Sequence, residues 1–128
     1  MMILHYCMHA AIIVTGGPPK ETSVEVLHSD GSPWCSLPNL PKHRYGHTQT
    51  GLEACGGWGS QMATCVRFSG GSWSPSHQLV EKRADHSIWT SPAGTLIIGG
   101  HYSKKTTEVL DTATGDSNAS FPLKYETK

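Results

Sequence analysis

The sequence has no excess of either charge and no long apolar run. Ten basic residues balance ten acidic ones among 128, so the electrostatic footprint of a nucleic-acid or anionic-membrane binder is missing. Neither nucleic acid nor membrane is expected as a partner. The longest apolar run, Ala10-Ala11-Ile12-Ile13-Val14, is far short of the roughly 20 residues that cross a bilayer. Residues 1–14 carry no basic segment and no small-x-small cleavage site, so they do not read as a secretory leader. There is no Cys-x-x-Cys among the four cysteines, which removes the zinc-ribbon and dithiol-redox signatures. Nucleophile elbows, phosphate-cradling glycine loops and paired-carboxylate motifs are also missing. Ser69-Gly70-Gly71-Ser72 is no phosphate loop, because no helix follows to present an N-terminus. The expectation is therefore a chain that is not an enzyme, with no catalytic residue and no cofactor.

What the chain has is glycine, proline and repetition. Fourteen glycines, eight prolines and apolar residues in short clusters predict many short strands joined by turns, an all-β protein. Three apolar strands run into paired glycines: Ile12-Ile13-Val14-Thr15-Gly16-Gly17, Leu52-Glu53-Ala54-Cys55-Gly56-Gly57 and Leu96-Ile97-Ile98-Gly99-Gly100. The first glycines are spaced 40 and then 43 residues apart, a propeller-blade period. Val26, Val66 and Val109 each fall nine residues after the second glycine, Trp34 and Trp73 follow it at 17 and 16, and Arg44 and Arg83 at 27 and 26. The slip of one residue matches the turns before the tryptophans, Ser29-Asp30-Gly31-Ser32-Pro33 in one copy and Ser69-Gly70-Gly71-Ser72 in the other, where glycine supplies φ > 0. Each unit then reads as four strands, with the paired glycines closing the innermost and the tryptophan on the third. The expected organisation is repeat 1 over 10–51, repeat 2 over 52–94 and an incomplete repeat 3 over 95–128, with 1–9 as a tail or the end of a preceding strand. A four-stranded sheet cannot bury both faces alone, so neighbouring units must stack on it.

An apolar strand ending in Gly-Gly, a strand around Val26, a tryptophan near Trp34 and an Arg-x-x-His segment before the next unit together resemble the kelch repeat family over residues 10–128. Within that family the chain is similar to divergent invertebrate members, through Val24-Glu25-Val26-Leu27 and His101-Tyr102-Ser103-Lys104-Lys105-Thr106-Thr107-Glu108. It departs from the pattern in lacking an aromatic close to Val26 and in offering Phe121 where the third tryptophan would stand. The resemblance implies a partial β-propeller of about three four-stranded antiparallel blades. Such a set cannot close alone, so the expectation is a fragment of a longer protein, or pairing with a second copy.

The same resemblance implies an interaction module that binds a protein, peptide or glycan through its loops. Arg44 and Arg83, flanked by His43 and Lys82, would grip a carboxylate, with His47 and His86 beside them. The alternative is that Arg and His tie blade to blade through backbone carbonyls. A second function, a copper-radical oxidase of the galactose oxidase type, would need two tyrosines, two histidines and a Tyr-Cys crosslink, yet Tyr6 and Cys7 are adjacent. His5, Cys7 and His9 would share one face of a strand but offer no fixed fourth ligand, and no metal is assigned. Cys55 and Cys65 are expected on adjacent antiparallel strands, which would bring them within disulfide reach, Cys35 is an alternative partner, and free buried thiols are the third option. Paired cysteines and the sequon Asn118-Ala119-Ser120 favour an extracellular setting slightly over a cytoplasmic one.

Overall fold

A computed structural model describes residues 10–18, 22–28, 34–59, 63–91, 94–111, 117–119 and 122–123. Among them there is no helix, as the composition predicts. The expected tail 1–9, with His5, Tyr6, Cys7 and His9, and Phe121 lie outside the described residues. Strands β1 (Ala10–Thr15), β2 (Val24–His28) and β3 (Cys35–Leu37) form a first sheet in that order. Strands β4 (Thr48–Thr50), β5 (Glu53–Cys55), β6 (Thr64–Ser69) and β7 (Ser72–Gln78) form a second, and β8 (Ser87–Ser91), β9 (Gly94–Ile98), β10 (Thr107–Leu110) and β11 (Ser117–Ala119) a third. Every pairing within them is antiparallel. Alternation drives the strands: along β2, Val24, Val26 and His28 are buried and Glu25 is exposed, the period of two that a pleated strand imposes. The β6–β7 hairpin closes with Gly70 and Gly71 at φ 61° and 87°, the two left-handed positions of a type I′ turn.

The sheets are offset from the sequence repeats. The strand expected to end repeat 1 (β4) pairs with β5 and opens the second sheet, and β8 opens the third. In the second and third sheets the paired glycines thus follow the second strand, and Trp73 stands on β7 at the opposite edge, not on a third strand. Turn length is the cause. Thr50 pairs with Glu53 across two residues, with Gly51 at φ 53°, which forces β4 beside β5. The longer segments 38–47 and 79–86 let the chain change sheets.

The valine spacing also hides a shift. Val26 pairs with Ile13 and Val109 with Leu96, each three residues before a first glycine, whereas Val66 pairs with Ala54 and Arg67 takes the valine position. The strand partners Cys55 and Cys65 are ten residues apart, one more than Thr15 and Val24 or Ile98 and Thr107. The additional residue falls in the segment that begins with Trp58.

Two apolar clusters join consecutive sheets. Val24, Val26, Leu37 and Leu40 meet Ala54, Val66 and Phe68, with Trp73 packed against them. Cys55, Cys65 and Leu79 meet Ile97 and Leu110. Trp73 is a wedge in the expected sense, since its indole N–H donates to the Pro38 carbonyl of the preceding sheet at 2.8 Å. Trp34, its counterpart at the first sheet, is 52% exposed. The segment after each sheet is pinned alike: the amides of Leu40, Leu79 and Leu123 donate to Thr22, Ala63 and Lys105.

Cys55 and Cys65 form a disulfide between directly opposed residues, with Cα atoms 4.1 Å apart. Cys35 is the free thiol among the described residues, and its Sγ lies 3.2 Å from His28 Nε2. Cys55 and Cys65 are therefore expected to resist alkylation in denaturant until reductant is added. Replacing both by alanine lowers stability by about 2–4 kcal/mol in urea unfolding, the usual contribution of such a crosslink.

Candidate functional site

Arg44-Tyr45-Gly46-His47 and Arg83-Ala84-Asp85-His86 lie on the two segments that pass from one sheet to the next. Both arginines are buried, at 1% and 0% exposure, and both make the same bonds through Nη1 and Nη2. Arg44 Nη1 donates to the Gly56 and Thr64 carbonyls, each at 2.8 Å, and Nη2 to Thr64 Oγ1 at 2.9 Å. Arg83 Nη1 donates to the Gly99 and Thr106 carbonyls at 2.8 and 3.1 Å, and Nη2 to Thr106 Oγ1 at 2.8 Å. The backbone carbonyls of the same arginines accept from the second glycine of the preceding pair, Gly17 at 3.1 Å and Gly57 at 2.8 Å. Each arginine thus ties one Gly-Gly pair to the next. The geometry is that of the sheet-to-sheet tie, and neither guanidinium is presented to solvent for a ligand carboxylate. His43 and Lys82 are exposed beside them.

The middle pair, Gly56-Gly57, is needed because the two segments press on it from both sides. A Cβ on Gly57, at φ 109°, would meet the Tyr45 carbonyl and His47 at 3.0 Å; one on Gly56, at φ 65°, would meet the Arg83 carbonyl at 2.5 Å. Only glycine combines that backbone with that clearance.

Charge is handled differently at the two junctions. Glu108, 1% exposed, receives Arg83 Nε at 2.6 Å and the Val80 and Glu81 amides at 2.6 and 3.3 Å. The equivalent position of the second sheet is Val66, and burial lowers the Arg44 guanidinium to about 10. A second buried carboxylate, Glu53, takes His77 Nδ1 at 2.7 Å, Arg67 at 3.4 Å and the Ser76 hydroxyl.

His47 and His86 complete the ties. Nε2 of His47 lies 2.7 Å from Thr15 Oγ1, and Nε2 of His86 lies 2.7 Å from Thr48 Oγ1. Nδ1 of both is buried with no hydrogen-bond partner among the described residues, so a proton there would be an N–H with nothing to receive it. Burial and the nearby Arg83 and His47 pull His86 down to about 4, against the opposing pull of Asp85 and Glu108. Burial and Arg44 lower His47.

Sequence reasoning missed a different group at the ends of these segments. Trp58 follows the second Gly-Gly pair and His101 the third; their amides donate to Tyr45 and Ala84 at 2.7 and 2.8 Å, which carries both side chains to one rim. There Trp58 lies 4.8 Å from His101 and 5.5 Å from Tyr102 between ring centroids. Its indole N–H donates to Asp85 Oδ2 at 2.9 Å. Asp85 is the one described non-glycine residue at positive φ, 52°, and its counterpart in the preceding segment is Gly46 at φ 63°. Gly46 forms the floor of the group: a Cβ there would meet Asp85 Oδ1 at 2.5 Å and Trp58 Cδ1 at 2.7 Å. The three rings belong to neither apolar cluster, and Tyr102 is 58% exposed. The signal available in the sequence was the interchange of Gly46 and Asp85 at one repeat position. No group of three metal-ligating side chains occurs among the described residues.

Two measurements test the ties. Arg83→Met leaves Glu108 buried without its cation and is expected to cost about 3–5 kcal/mol in urea unfolding, much of it recovered by adding Glu108→Leu. For His86, the folded chain refuses a proton that the unfolded chain accepts near pH 6.5, so stability falls from pH 6.5 towards 4 and this contribution levels off below that. Between pH 7.5 and 4.5, wild type should lose on the order of 2 kcal/mol more than His86→Gln.

No protein-family model matches the chain, and no curated protein matches it at a significant level, so its function is argued from this geometry.

Proposed function

We propose that the chain is part of a kelch-type β-propeller that acts as a non-catalytic interaction module, and that it takes a protein partner on the rim formed by Trp58, Asp85, His101 and Tyr102. The observation that carries the reading is the rim itself: three aromatic rings held in fixed mutual geometry, outside both apolar clusters, on segments that a repeated backbone device presents at one end of the sheets. Aromatic side chains with a satisfied polar handle are the typical anchors of protein contacts. Loops carried on a rigid sheet scaffold are where such contacts collect.

The repeat of one arginine tie at both junctions supports the blade reading, since each sheet then relates to the next by the same bonds. Ile12 and Val14 on the first sheet are 51% and 45% exposed, and Trp89 and Val109 on the third are 59% and 39% exposed. In this reading they are the faces that further blades cover, from the same chain or from a second copy. The disulfide supports an oxidising compartment. The contact surface moves from Arg44 and Arg83, which are buried, to the rim; His43 and Lys82 flank the arginines in sequence as secondary contacts.

The test is binding of the chain to immobilised peptide, protein and glycan arrays, compared with Trp58→Ala/Tyr102→Ala at matched thermal stability. Loss of protein or peptide binding in the variant is expected. Equal binding by both proteins, or recognition of glycans alone, overturns the reading.

A further inference from the structure

The rim also defines the chemical class of what it receives, an inference that rests on the interaction-module reading. Glu53, Glu81 and Glu108 each face a cationic side chain, whereas Asp85 makes no ion pair among the described residues. Its carboxylate is exposed and uses one oxygen to accept from Trp58 Nε1. A carboxylate has about four acceptor positions, so acceptor capacity remains. An indole whose N–H is given to an anion is richer in π-electron density, and its face attracts a cation more strongly. The backbone holds this arrangement in a left-handed conformation that an L-residue adopts only at some strain, a feature that gathers at ligand clamps.

Ring orientation separates the candidate ligands. Trp58 and His101 are inclined at 56°, Trp58 and Tyr102 at 63°, and His101 and Tyr102 at 82°. The rings stand as walls of a corner instead of lying as an open floor. A flat pyranose needs the floor; a compact charged head group fits the corner, with ring faces around it and a carboxylate beside it. The positive groups around the rim are the buried Arg83, held by Glu108, exposed Lys82, and Lys104 and Lys105, which follow Tyr102 on the same loop and are also exposed. None of them forms an ion pair with Asp85 among the described residues.

We propose that Trp58, Tyr102 and Asp85 receive a lysine or arginine side chain of the partner protein. The probe is the indole N–H resonance of Trp58 in the intact, ¹⁵N-labelled chain, identified as the signal missing from Trp58→Phe. Tetramethylammonium chloride and N-acetyl-lysinamide should shift it saturably, while sodium chloride at equal ionic strength and methyl β-glucoside should not. Asp85→Asn should weaken the half-saturation concentration about two- to fivefold, and Tyr102→Ala by a similar factor. Asp85→Gly, which keeps the backbone conformation that Gly46 shows at the equivalent place, guards against misfolding and should behave as Asp85→Asn does. A shift with methyl β-glucoside alone, or no saturable shift with either cation, overturns the cation assignment. If Trp58→Ala/Tyr102→Ala loses array binding while the cations leave the resonance unmoved, the module reading stands and this assignment falls. If the cations shift it while array binding is indifferent to that variant, the module reading falls instead.

Discussion

The hydrogen bonds between an arginine and two Gly-Gly pairs are the constraint on which the rest of this structure depends. Each strand pair is short, and sheets of three or four strands leave apolar faces that need a neighbour. Burial against a neighbour is non-directional and would tolerate many relative positions. The arginine removes that freedom: its carbonyl is fixed to one glycine pair and its guanidinium to the next, so the spacing between sheets is set by one side chain of defined length and a planar array of donors. Gly56 and Gly57 have to be glycines because the segments carrying the two arginines touch them on both sides.

The two junctions show that the tie need not be electrostatically uniform. At one, Glu108 neutralises Arg83 in the interior; at the other, valine occupies the matching place, and the backbone carbonyls and a threonine hydroxyl take the Nη donors of Arg44. What is common to both is the geometry of acceptors, not the counter-charge. The His–Thr bonds add a second registration, and because a proton on either buried Nδ1 would find no acceptor among the described residues, the packing of consecutive sheets is sensitive to acid although no exposed ion pair is involved.

The all-β class, the period and the Gly-Gly strands were legible because they rest on local turn chemistry and on alternation. Boundaries of sheets were not, because a sequence repeat can be cut at any phase and it is the two-residue turn at Gly51 that puts β4 beside β5. The valine register misled for a related reason: one additional residue before Cys65 keeps Val66 at the same count from the glycines while moving it by one place in the ladder, to the other face. Arg44 and Arg83 stood out from the sequence, and their surroundings could not, since burial depends on which carbonyls converge from distant positions. The rim was less visible still. Trp58, Asp85 and Tyr102 come from three segments and share no spacing; they meet because the Gly-Gly pairs and the Arg-x-x-His segments are stacked in alternation.

The left-handed position shared by Gly46 and Asp85 separates scaffold from surface in a way that bears on how such a protein diversifies. Glycine and aspartate codons differ by a single base, and both residues tolerate this backbone conformation. At position 85 the carboxylate can therefore be erased from the rim by one nucleotide change, two residues away from the arginine that sets the sheets, whereas at position 46 a side chain would meet Asp85 and Trp58. Each added repeat brings one more such position, so the charge pattern of the rim can change in evolution faster than the architecture that displays it.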